Sequence, residues 1–117
     1  MTFDESMLIY VSIVKLNDAD FERIAKALAD PRRCEILQRT ASAGELCCSG
    51  IQSECAVSQA TISHHLKELA TAGLVERHKE GQFAYYRYRP EVMAAYVKEL
   101  SARMQLGVAP LKASARR

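Results

Sequence analysis

The chain has 117 residues, 49% of them hydrophobic and 26% charged, with a formal net charge of +2. The length suits one domain, and the composition is ordinary for a globular protein. The apolar run at residues 7–16 is too short to span a bilayer, and the acidic Asp4 and Glu5 before it exclude a secretory signal. We therefore expect a cytoplasmic protein with no membrane partner, whose four cysteines are reduced thiols.

Helix signals divide the first half of the chain. Residues 1–16 form an N-terminal arm whose β-branched content leaves helix and strand both open. Asn17 is predicted to cap a first helix, which carries an apolar stripe at helical spacing. Asp30-Pro31 predicts the start of a second helix, because aspartate caps well and proline suits the first helical position. This helix is predicted to run to about Thr40.

The second half predicts two short helices and a hairpin. Ser49 opens a third helix that ends near residue 56, and Ser58 caps a fourth helix that Gly73 ends. Two β-rich segments, 74–79 and 83–89, flank a glycine-containing turn. Two short helices followed by a hairpin are the order of a winged helix-turn-helix. We therefore predict a mainly α fold with a small β-hairpin.

The remaining boundaries follow from proline, glycine and charge. Pro90 starts a last helix, which Gly107 and Pro110 end. The domain is therefore predicted to span residues 17–106, between the arm at 1–16 and a basic, frayed tail at 107–117.

The fourth predicted helix and the hairpin carry side chains suited to DNA. Short or forked polar side chains on the outer helix face suit base edges in the major groove, and the helix N-terminus suits a phosphate. Basic residues on the hairpin suit the backbone or the minor groove. A solvated polar face is the plainer alternative. The predicted DNA-binding residues are Ser58, Gln59, Thr61, Ser63, His64, His65, Lys67, Arg77, Lys79, Gln82 and Arg87.

Four segments together resemble one protein family. ALADPRRCEIL, ELCC, VSQATISHHLKELATAGLV and EGQFAYYRY resemble the ArsR/SmtB family of winged helix-turn-helix transcriptional repressors, over roughly residues 18–105. The resemblance implies a homodimer that binds operator DNA and leaves it when an effector binds. It also implies a dimer interface formed by the first and last helices, and the apolar stripe on the last helix favours the same face. The predicted interface residues are Phe21, Met93, Tyr96, Val97, Leu100 and Met104.

The cysteines leave several interpretations open. Metal-sensing relatives begin the third helix with ELC-x-C, whereas here Cys47 and Cys48 are adjacent and Ser49 holds the second position. A helix N-terminus favours thiolate, so this pair is a candidate redox site or, with Cys55 as third donor, a site for As(III) or Sb(III). Two helical turns, about 10 Å, separate Cys48 from Cys55, which is too far for one ion. Plain packing is the alternative, and Cys34 fits a core stripe.

Other classes of function fit less well. A cysteine-dependent enzyme needs a base beside the nucleophile, and all three histidines, His64, His65 and His78, fall in the predicted DNA face. We therefore predict no enzyme and no required cofactor. The family's zinc-type site on the last helix needs histidine, and residues 90–106 contain none. A dimeric adaptor without DNA binding would not explain the polar helix face and the charged hairpin.

Overall fold

A computed structural model describes residues 14–47 and 58–106. Within these ranges the chain forms four helices and one three-stranded sheet. In chain order the elements are α1 (Asp18–Leu28), α2 (Pro31–Ala43), β1 (Glu45–Cys47), α3 (Gln59–Thr71), β2 (Val75–Glu80), β3 (Phe83–Tyr88) and α4 (Pro90–Arg103). The third predicted helix, at residues 49–56, lies outside the described residues, as do residues 1–13 of the arm and the tail from residue 107. No helix in the described ranges is long and apolar enough to cross a membrane.

The three predicted caps that are described all begin helices. Each side chain accepts a backbone N–H from the first turn of its helix: Asn17 from Asp20 at 2.7 Å, Asp30 from Arg32 at 2.8 Å and Ser58 from Thr61 at 3.2 Å. These bonds satisfy donors that have no partner within the helix itself. α2 continues to Ala43, beyond the predicted end at Thr40, and stops at Gly44, whose φ of 86° favours glycine.

The sheet is antiparallel, with strand order β1-β3-β2. The predicted hairpin is present as β2 and β3, and we call it the wing. β1 was not predicted, because three residues are too few to show an alternating pattern. The register places Glu45, Arg87 and Glu76 side by side, with Leu46, Tyr86 and Arg77 in the next row. Successive residues point to opposite faces of a sheet, so these two rows lie on opposite faces.

The core forms where α1, α2 and α3 meet the base of the wing. The three helices and the base of the wing all contribute fully buried side chains. These are Ile24, Ile36, Ile62, Leu66, Leu69, Leu74 and Val75. α3 supplies three of them, Ile62, Leu66 and Leu69, at helical spacing, which confirms its predicted inner face. The opposite side of α3 is therefore left to solvent, next to the wing.

α4 packs on α1 through an aromatic pair. Phe21 stacks on Tyr96 with ring centroids 5.0 Å apart, and the Arg103 guanidinium lies 4.0 Å above the Phe21 ring. Arg103 also pairs with Asp18 at 2.7 Å and with Glu99 at 2.9 Å. Tyr96 is only 9% exposed. Within the single chain, Phe21 therefore covers the ring of Tyr96, which was predicted to face a partner subunit.

The other predicted interface residues on α4 differ in exposure. Val97 and Met104 are exposed, and Leu106 beyond the helix adds to them. Met93 and Leu100 are partly buried and pack against the core. The apolar surface of α4 that is open to a partner is therefore centred on Val97 and Met104.

Candidate nucleic-acid interface

The outer side of α3 presents a row of polar side chains. Gln59, Ser63, His64 and Lys67 are exposed, whereas the inner row is buried. Gln59, Ser63 and Lys67 are spaced four residues apart and therefore lie on one side of the helix. We call these four residues the outer row of α3. They match four of the predicted DNA-binding positions.

The start of α3 is fixed by two hydroxyl groups. Ser58 Oγ accepts the Thr61 backbone N–H and lies 3.0 Å from Thr61 Oγ1. Both were predicted to bind DNA. The structure gives them a first role in capping the helix, with Ser58 exposed and Thr61 half-buried. A helix N-terminus favours a phosphate, and that of α3 begins at Gln59, the first residue of the outer row.

His65 does not belong to the outer row. A step of about 100° per residue turns it away from His64 and onto the inner side of the helix. Its side chain is 7% exposed, and burial lowers the pKa of its imidazole. The structure therefore does not bring His65 together with the other predicted DNA-binding residues of α3, because packing rather than solvent surrounds its ring.

A groove runs between α3 and the wing. Gln59 and Ser63 line one end of it with Gln82 of the wing turn, and Ser63 and Lys67 line the other. Arg77 lines both ends. Helix and wing thus present one continuous surface of polar and basic groups. An elongated surface of this kind matches a nucleic-acid backbone and the base edges beside it.

The cations along this groove are open to a ligand. Lys67, Arg77 and Lys79 are exposed, and none forms an ion pair with another described residue. Arg77 and Lys79 are two residues apart in β2, so their side chains lie on one sheet face, the face that carries the buried Val75. The predicted positions Lys67, Arg77 and Gln82 therefore line the groove with the outer row of α3, and Lys79 follows Arg77 along the same sheet face.

Arg87 lies on the other face of the sheet. It pairs with Glu76 on the neighbouring strand, and Glu45 is in register on its other side. The hydrogen bond from Arg87 holds the pKa of the Glu76 carboxyl below its usual value and raises that of Arg87. The structure thus places Arg87 apart from the other predicted DNA-binding residues, with its charge matched by carboxylates on the opposite sheet face.

His78 also lies on this outer sheet face. Its Nδ1 is 3.2 Å from Glu45 Oε2, its Nε2 is 3.7 Å from Glu80 Oε2, and its ring stacks on Tyr85 at 5.5 Å. Sequence reasoning placed His78 in the DNA face, and the strand alternation shows that this is wrong. Sequence reasoning did not name several residues that line the groove, among them Cys47, Phe83 and Tyr86. Phe83 is 49% exposed at the wing tip.

The described thiols do not form a metal site. Cys34 is half-buried and its Sγ donates to the Leu28 carbonyl at 3.0 Å, in keeping with its predicted packing role. Cys47 is half-buried at the end of β1, in register with Tyr85. Among residues 14–47 and 58–106, no group of three histidine, cysteine or acidic residues could hold a metal ion. Cys48 and Cys55, the other members of the predicted thiol site, lie outside these ranges.

Comparison with known proteins identifies the family to which this chain belongs. A model of the helix-turn-helix domain matches residues 28–78. A cadmium resistance transcriptional regulatory protein CadC homolog from Staphylococcus aureus is 35% identical over 88 residues, which are 75% of this chain and 69% of that protein. The arsenical resistance operon repressor of Bacillus subtilis is 32% identical over 68% of this chain and 75% of its own length. The chain belongs to the ArsR/SmtB family.

A solved structure extends the ArsR/SmtB assignment to the fold. The homodimeric winged helix-turn-helix DNA-binding domain of a possible ArsR-family transcriptional regulator from Mycobacterium bovis superposes with a TM-score of 0.61. The two sequences are 29% identical, and the match covers 80% of this chain and 94% of the M. bovis chain. The predicted winged helix-turn-helix class is confirmed. As an ArsR/SmtB protein, the chain is a transcriptional regulator.

Proposed function

We propose that this chain is a sequence-specific repressor that binds an inverted-repeat operator as a homodimer. The observation that carries the proposal is the continuous groove between the outer row of α3 and the wing. Polar groups there face solvent, and three cations have no ion-pair partner among the described residues. The repressor and regulator names of the relatives support the same function.

The two sides of the groove would divide the work of recognition. α3 enters the major groove, where Gln59 and Ser63 hydrogen-bond to base edges and specify sequence. Lys67, Arg77 and Lys79 contact phosphates, which fixes the position of the protein and makes its affinity depend on salt. Gln82 and Phe83 at the wing tip extend the contact beyond the site that α3 occupies.

A second copy of the chain would complete the operator-binding unit. The apolar side chains of Val97 in α4 and of Met104 and Leu106 just beyond its end are exposed. A two-fold dimer formed there presents two copies of α3, which would read half-sites about 34–36 Å apart. The homodimeric M. bovis domain supports this arrangement.

Salt dependence tests which cations contact phosphate. We expect Arg77→Ala and Lys79→Ala each to reduce the slope of log affinity against log salt by about 1.8 on double-stranded operator DNA, because a dimer loses two phosphate contacts at about 0.9 each. Arg87→Ala is the matched control, because Arg87 pairs with Glu76 on the other sheet face and should leave the slope unchanged. The measurement is fluorescence anisotropy on a duplex that the wild-type protein selects from a random library. An equal loss of slope in Arg87→Ala would contradict the assignment.

An effector that binds or oxidises side chains of this protein would act through its cysteine thiols. The names of the relatives, for cadmium and arsenical resistance, support a soft metal or metalloid. Cys47 lies in β1 and lines the DNA groove, so a ligand held by Cys47 and the neighbouring Cys48 would act directly on that surface. Thiolates suit As(III) and Sb(III), and the third donor would be Cys55 if residues 47–48 fold back towards it, or a group of a second subunit.

Release of selected DNA by arsenite, antimonite, cadmium and a mild oxidant tests the thiol proposal. We expect at least one of them to lower wild-type affinity roughly 5–150-fold, which corresponds to a coupling of about 1–3 kcal/mol. Cys47→Ser/Cys48→Ser should retain the DNA, whereas Cys34→Ser should respond like the wild type, since Cys34 contacts the Leu28 carbonyl inside the fold. A wild type that none of the four releases would leave the cysteines as packing residues.

A further inference from the structure

Two adjacent histidines on α3 have opposite surroundings. His64 is exposed on the outer row, whereas His65 is 7% exposed on the inner side. His65 Nδ1 is fully buried and has no hydrogen-bond partner among the described residues. A buried imidazole with an unsatisfied nitrogen is costly to keep, and it is more costly still as a cation. The helix that would read DNA thus packs through a group whose burial disfavours its charged form.

The charged groups around His65 come from α2 and from α3 itself. Asp30, the cap of α2, attracts a charged imidazole, whereas Arg32, Arg33 and His64 repel it. Asp30 is already engaged, because its carboxylate accepts the backbone N–H groups of Arg32 at 2.8 Å and Arg33 at 3.1 Å. The Arg33 guanidinium is held nearby by the carbonyls at the end of α1. A proton on His65 would therefore place a buried cation beside Arg32 and Arg33. The nearby acid, Asp30, already accepts two backbone hydrogen bonds.

We propose that His65 is a positioning residue that holds α3 against α2 in its DNA-reading position only while the imidazole is neutral, so that acidification releases operator DNA. This inference rests on the proposed function for its DNA consequence. The effect on the packing of α3 stands independently and is measured without DNA.

The direction of the pH effect follows from burial. Desolvation lowers the pKa of His65 in the folded protein below its ordinary value of 6.5. The unfolded chain therefore binds the proton more readily than the folded one. The stabilisation from neutral His65 is complete above about pH 6.5 and is lost as the pH falls from there towards the folded pKa.

The first experiment compares operator affinity and urea unfolding between about pH 7.5 and 5.5, a range above the titration of most carboxyl groups. Wild-type affinity should fall, and the folding equilibrium should weaken by up to about tenfold per pH unit for one proton. His65→Gln should bind DNA normally at the higher pH, but its operator affinity and its folding equilibrium should no longer fall as the pH is lowered. His78→Gln should keep the wild-type pH dependence, because His78 lies on the outer sheet face, away from the contact between α2 and α3.

The second experiment uses only the wild-type protein, so it does not require that a variant folds. In an NMR titration of the wild-type protein without DNA, the His65 ring should titrate below 6.5. A midpoint at or above that value would overturn the proposal, as would a wild-type pH profile in His65→Gln. A protein that binds no DNA at any pH would refute the proposed function, while the NMR and urea profiles would still decide the role of His65.

Discussion

Replacing Gln59 and Ser63 together with alanine is expected to abolish most of the preference for operator over random DNA. Each good bidentate contact to a base edge contributes about 1–3 kcal/mol of discrimination, which is roughly 5–150-fold per contact. Phosphate contacts from Lys67, Arg77 and Lys79 remain in this variant. Its affinity for random DNA should therefore stay near that of the wild type, while operator affinity falls towards the same value.

α2 offers a matched control for this double variant. Gln38 and Ser42 are the same pair of residue types at the same spacing, exposed beside a different groove. Gln38→Ala/Ser42→Ala should leave both affinities unchanged. Competition binding with operator and random duplexes measures the ratio directly. An unchanged ratio in Gln59→Ala/Ser63→Ala would show that sequence is read elsewhere.

Val97→Glu is expected to separate the dimer and to reduce operator affinity by about 10²–10⁴-fold, because the two half-sites are then bound independently. Val97 is 39% exposed in the single chain, so a charge there should spare the fold. Leu100 packs against the core, and a charge at that position would destabilise the subunit as well. Sedimentation should show twice the 13.1 kDa chain mass for the wild type and the chain mass for the variant.

The control for the introduced charge is Ala102→Glu. Ala102 is exposed on the same helix, and five residues of helical rotation turn it well away from Val97. This variant should remain a dimer with wild-type affinity. A wild type that sediments as a monomer at micromolar concentration would contradict the homodimer before any variant is compared.

Local signals in the sequence were sufficient for most of the helices. The caps at Asn17, Asp30 and Ser58 depend on side-chain bonds to the next few residues, so the sequence alone reveals them. The inner row of α3 follows from spacing alone. The same signals placed Gln59, Ser63, His64 and Lys67 on the outer face, where the structure has them.

Sequence reasoning was least informative where a residue's surroundings come from distant parts of the chain. Arg87 is a plausible phosphate contact until Glu76 and Glu45 are seen beside it across the sheet. Tyr96 fits a partner-facing stripe until Phe21, far away in sequence, covers its ring. β1 exists only because β3 pairs with it. His65 differs, because the helical rotation from His64 was available and would have indicated burial.

The central claim is that paired copies of α3 read the major groove of one operator. Guanine methylation interference on a duplex selected by the wild-type protein tests it most directly, because the modification blocks N7 in the major groove. The claim predicts two symmetric clusters of interference on one side of the duplex, with centres about 10–10.5 base pairs or a multiple of that apart. A single cluster, or binding that is indifferent to N7 methylation, would contradict it.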